Sequence, residues 1–101
     1  MVKIFAEYRI LPDKRADYLH FMGKITNKYR NLEVLEGTDQ THLFVEIWQE
    51  MSVEEYLSMK KERLESKGTL WDEMNGFVVG GKEKVHIWSF QTIRQFDEQK
   101  G

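Results

Sequence analysis

The residues with chemistry to offer lie on three alternating stretches. "HLFVEIWQ" (42–49) carries Glu46 and Trp48, "KVHIWSFQTI" (84–93) carries His86, Trp88 and Phe90, and "VKIFAEYRIL" (2–11) carries Phe5, Glu7 and Arg9. A histidine beside a carboxylate is a natural acid–base pair, because imidazole titrates near neutral pH and a neighbouring carboxylate tunes it. Alternation assigns Glu46 and His86 to one sheet face, with Trp48 and Trp88 positioned to stack on a flat substrate. The structural alternative has Arg9 neutralising Glu7 or Glu46 and the tryptophans forming interface core. Ion networks are often structural and buried interfaces are rich in aromatics, so the structural alternative carries more weight. His42, Glu46 and His86 are ligand types for a metal but are divided between two strands, and no metal or cofactor is expected.

"LWDEMNGFVVGG" (70–81) also invites a functional reading, with Trp71, two acids and two glycine turns in twelve residues. A phosphate loop follows a strand and opens a helix; this stretch does the reverse and lacks G-K-S/T. It reads as a helix-to-strand join. Asn75-Gly76 is expected to end a helix on a left-handed residue, Gly80-Gly81 to turn the chain into the last strand, and Trp71 to close one end of a pocket. No nucleophile motif or dinucleotide fingerprint occurs, and the absence of cysteine removes disulfides and thiolate chemistry.

The positioning elements follow from periodicity. Residues 2–11 alternate as a strand that Pro12 stops. Asp13 is expected to cap a helix running to Asn31, with Tyr18, Phe21, Met22, Ile25 and Tyr29 at helical spacing. Residues 32–36 and 42–49 are strands in a hairpin. Ser52-Val53-Glu54-Glu55 is a capping box that opens a helix carrying Val53, Tyr56, Leu57, Met59 and Leu64. Thr69 can cap a short helix holding Leu70, Trp71, Met74 and Phe77, and residues 84–93 form the last strand. The order βαββαβ predicts an α+β, ferredoxin-like domain over residues 1–93, with one four-stranded antiparallel sheet and a polar tail at 94–101.

Both helices of such a unit cover one sheet face. Ile4, Ala6, Tyr8, Leu43, Val45, Ile47, Val85 and Ile87 are assigned there. The other face then receives Phe5, Glu7, Arg9, Phe44, Glu46, Trp48, His86, Trp88 and Phe90. Five large aromatics on one open face predict a homodimer. A net charge of −2 with interspersed signs argues against nucleic acid, and no apolar run is long enough to span a membrane. The N-terminus is unlike a signal peptide, so the expected location is cytoplasmic.

"YRILPDKRADYLHFM" (8–22) and "FVEIWQEMSVEEYLSM" (44–59) resemble the dimeric α+β barrel superfamily. That group includes antibiotic-biosynthesis-monooxygenase-like, NIPSNAP-like, EthD-like and stress-responsive barrel domains. The resemblance spans residues 1 to about 93 and implies two sheets facing each other around a barrel. It implies pockets in that barrel or between sheet and helices. Haem-degrading and quinol-oxidising members typically place an asparagine on the first strand and a histidine on a helix near the pocket. This chain has Glu7 and Arg9 on the first strand and no histidine in 53–65, so haem degradation is not expected. Two functions follow: a cofactor-independent monooxygenase-like or isomerase-like enzyme for a small aromatic or polyketide-like molecule, or a non-catalytic dimeric module that binds a ligand or only assembles.

Overall fold

The computed structural model describes residues 1–94. Alternating β-branched and aromatic residues form strand β1 (Val2–Arg9), and Pro12 ends it by opening a 3-10 turn (Pro12–Lys14). Helix α1 (Arg15–Lys28) follows, then strands β2 (Leu32–Glu36) and β3 (Leu43–Met51). Helix α2 (Val53–Leu64), the short α3 (Trp71–Asn75), a 3-10 turn (Gly81–Lys84) and strand β4 (His86–Phe90) complete the chain. The sheet order is β2-β3-β1-β4, with every pairing antiparallel. This is the predicted ferredoxin-like α+β architecture. No helix among the described residues is long and apolar enough to cross a membrane.

Local chemistry explains most boundaries. Ser52 Oγ accepts the Glu55 N–H while the Glu55 carboxylate accepts the Ser52 N–H, at 3.0 and 2.8 Å, so the capping box forms as the sequence indicates. The Thr69 hydroxyl accepts the Trp71 N–H at 3.2 Å. Gly80 and Gly81 hold φ of 83° and 72°, the left-handed region that glycine adopts without a Cβ clash. Two expected caps are absent. Asp13 lies inside the 3-10 turn and does not cap α1, because Pro12 presets that turn one step earlier. Gly76 is right-handed (φ −67°), so α3 ends without a left-handed residue there. The first helix also stops at Lys28, short of Asn31, whose side chain instead donates to the Gln49 carbonyl at 2.9 Å. From residue 95 onward, the predicted polar tail lies outside the described residues.

The face assignment of β3 is corrected. Tyr8 opposes Phe44, Ala6 opposes Glu46 and Ile4 opposes Trp48, so Phe44, Glu46 and Trp48 lie under the helices. All three are buried, whereas Leu43, Val45 and Ile47 occupy the open face and are partly exposed. Both faces of β3 carry large apolar residues, so alternation fixed the period but not the direction. Alternation alone places Glu46 on the open face, because the partner that draws it under the helices, Arg63, sits on another element. The remaining strands match expectation: Ile4, Ala6, Tyr8 and Ile87 face the helices, and Phe5, Glu7, His86, Trp88 and Phe90 do not.

At Glu50 the backbone turns left-handed (φ 54°), and the β1–β3 register slips by one between Ile4↔Trp48 and Val2↔Met51. This bulge leads the chain from β3 towards α2.

Candidate ligand-binding site

On the helix side of the sheet, α2 presents an inward stripe of partly buried Tyr56 and Met59 and fully buried Arg63, spaced i, i+3, i+7. That stripe carries a guanidinium onto the sheet. Arg63 and Glu46 are 1% and 0% exposed. Arg63 Nη1 donates to Glu46 Oε1 at 2.7 Å and Nη2 to Oε2 at 3.0 Å, a bidentate pair. Trp48 Nε1 adds a bond to Oε1 at 2.9 Å, and the Tyr8 hydroxyl donates to Oε2. Tyr8 in turn meets the Tyr18 hydroxyl at 2.8 Å. The Trp71 ring lies 3.8 Å from Arg63 Cζ, a close cation–π stack.

These contacts set the charges. Burial pushes the Glu46 carboxyl up, but the Arg63 charge and the bonds from Arg63, Tyr8 and Trp48 outweigh it and hold the carboxyl below its ordinary value. Burial lowers Arg63, and Glu46 more than compensates, so the guanidinium stays charged. Burial, followed by the Glu46 charge, raises the Tyr8 phenol well above its ordinary value. The Tyr18 phenol is raised as well, chiefly by burial. Glu46 is therefore a structural anion. It accepts four hydrogen bonds and has no exposed surface, so it is closed to a substrate proton.

The ion pair backs a cavity. Trp48 and Trp71 line a space of about 590 Å³ together with Tyr29, Asn31, Met51 and the α2 residues Glu54, Glu55, Ser58, Met59 and Glu62. That volume suits a small-molecule ligand. Tyr29 packs edge-on to Trp48 at 5.3 Å between ring centroids, and Trp48 packs edge-on to Trp71 at 6.5 Å. Three aromatic walls, Tyr29, Trp48 and Trp71, give the cavity surfaces against which a flat ring can stack.

The sequence-derived candidates divide between two faces. Trp48 and Trp71 line this cavity; Glu46 lies behind Trp48, and Phe44 packs on Tyr18 at 4.4 Å. Phe5, Glu7, Trp88 and Phe90 line a second concavity of about 520 Å³ on the open face, with Lys3 and Val45. His86 stacks on Trp88 at 5.8 Å and opposes Glu7 across the strands. The expected Glu46–His86 pair does not form, because the two are on opposite faces. Arg9 neutralises neither Glu7 nor Glu46; it donates to the Gln40 side chain and the Thr41 carbonyl at 3.2 and 3.4 Å. Among the described residues, no group of three or more His, Cys, Asp or Glu side chains is placed to hold a metal.

Sequence reasoning missed Arg63, Tyr8 and Tyr18 as a network, and Tyr29, Asn31, Met51, Met59 and Glu62 as walls. One signal was present: a guanidinium on the apolar stripe of α2 requires a buried carboxylate, and Glu46 was a candidate within reach of the sheet.

The fold and site together define an α+β sheet-and-helix unit with a pocket under its second helix. Solved structures share that fold. A crystal structure of an antibiotic biosynthesis monooxygenase superposes with a TM-score of 0.68 over 92% of this chain and 99% of the other, at 15% identity. A putative antibiotic biosynthesis monooxygenase from Deinococcus radiodurans gives 0.59 over 98% and 99%, at 14% identity. The chain thus has the antibiotic-biosynthesis-monooxygenase-like fold, as the resemblance in its sequence implied. It matches no protein-family model and no curated protein.

Proposed function

We propose that the protein is a homodimeric α+β barrel protein that takes a small aromatic molecule into the cavity between β3 and α2, and that it acts there as a cofactor-independent, monooxygenase-like enzyme. The observation that carries this reading is the roughly 590 Å³ cavity walled by Trp48, Trp71 and Tyr29. The names of the similar folds support an oxygenating reaction. In such a reaction the substrate supplies the electrons: an activated ring CH₂ and O₂ become a ring C=O and water. Edge-on tryptophans orient the ring, and the Glu46–Arg63 pair keeps them in place.

A second reading, a non-catalytic binder, is favoured by one specific observation. The buried carboxylate is fully occupied, and the cavity has no histidine among its lining residues. One experiment separates the two. The protein is titrated with phenols, naphthols and tricyclic anthrone-type ketones while tryptophan fluorescence and dissolved oxygen are recorded. Saturable quenching with protein-dependent oxygen uptake supports the enzyme; quenching without uptake supports the binder. No quenching by any member of the panel overturns both.

A further inference from the structure

We infer that the ligand of the β3–α2 cavity carries a positive charge: an aromatic amine, with its ring among the tryptophans and its ammonium at the α2 rim. The inference rests on the reading of this cavity as an aromatic-ligand site and specifies the ligand class. Three aromatic rings and three carboxylates, Glu54, Glu55 and Glu62, line the space, and neither lysine nor arginine does. Aromatic faces attract ammonium groups through their quadrupole, most strongly when water is excluded. Two of these rings already hold a cation, Arg63 over Trp71 and Lys28 over Tyr29 at 5.4 Å, and neither cation lines the cavity. The third ring, Trp48, donates its N–H to a buried carboxylate, which enriches the indole face in electron density.

The carboxylates are not explained by the helix alone. Glu54 and Glu55 in the first turn of α2 suit its positive end, and Glu55 also closes the capping box. Glu62 lies in the last turn, where the helix macrodipole disfavours an acid. Its neighbours three and four residues away are Met59, Ser58, Glu65 and Ser66, so it has no basic partner along the helix. Glu54, Ser58 and Glu62 recur every four residues and face the cavity together. An anionic ligand would meet three acids with no lysine or arginine among the lining residues; a cationic one would meet its complement.

The test uses one ring with three charges: tyramine, its neutral alcohol tyrosol, and 3-(4-hydroxyphenyl)propionate. Binding to the full chain is followed by the indole N–H resonances of Trp48 and Trp71. Tyramine is expected to bind about ten-fold more tightly than the propionate at low salt, with tyrosol between them. Added salt should compress the series in the wild-type protein, and Glu54→Gln with Glu62→Gln should bring it to within about two-fold. Equal affinities for all three, or tightest binding of the propionate, overturn the ammonium while leaving an aromatic site. No shift with any of the three overturns the site itself.

Discussion

At the residue scale, the Glu46–Arg63 pair is the most consequential feature of the molecule. Removing one partner leaves a buried charge uncompensated, so Arg63→Met is expected to cost about 3–5 kcal/mol of stability. That is a large share of the roughly 5–15 kcal/mol typical of a domain this size. Replacing both, Glu46→Leu with Arg63→Met, should cost far less, because no charge is stranded. Urea midpoints of the three proteins decide the point; equal losses in the single and double variants would contradict a coupled pair. The pair also fixes an acid dependence. The Glu46 carboxyl is held below its ordinary value of 4.5. Such a group adds stability above that value, and the contribution is lost as pH falls through the lower, folded value. The wild-type urea midpoint should therefore drop on acidification below about pH 4.5, and the double variant should drop less. Glu36 remains a second source of the same slope, since the Arg15 hydrogen bond, at 2.5 Å, lowers it too.

At the element scale, the bulge at Glu50 makes a sharp prediction. A left-handed residue with a branched Cβ is strained, so Glu50→Val should destabilise by about 1–2 kcal/mol, whereas Glu50→Gly should be close to neutral. Equal urea midpoints for the two variants would show that the bulge relaxes. Elements were also where the sequence was most legible. Alternation located β1, β2 and β3, and the Ser52–Glu55 box placed the start of α2 to the residue. The face of β3 was not legible. Leu43, Val45 and Ile47 are as apolar as Phe44 and Trp48, and only the partner of Glu46, seventeen residues along the chain, breaks the tie. The cavity was half legible for the same reason: Trp48 and Trp71 stand out as residues, but their common wall exists only once α2 is docked.

At the scale of the whole molecule, the corrected face exchanges Phe44, Glu46 and Trp48 for the partly exposed Leu43, Val45 and Ile47, so the open surface keeps its apolar character and loses a carboxylate. Phe5 stands at its centre, opposing Ile47 on one side and Trp88 on the other, with Phe90 edge-on at 5.1 Å. Val45, Leu35 and Leu43 extend it, and Leu35, Trp88 and Phe90 are 45%, 44% and 54% exposed. A monomer seldom leaves so continuous an apolar sheet open, and a second copy laid face to face would cover it with a self-matching surface. Trp88→Glu is expected to weaken that dimer strongly. A buried tryptophan contributes about 2–3 kcal/mol, and two-fold symmetry counts it twice, so the dissociation constant should rise by at least about a thousand-fold. Trp48→Glu should behave differently, because Trp48 lies under the helices beside Glu46; it should unfold the chain rather than separate two folded ones. Sedimentation velocity with circular dichroism reads both outcomes. A wild-type monomer at micromolar concentration would sink the dimer, and a Trp88→Glu protein that sediments as an intact dimer would move the interface off this face.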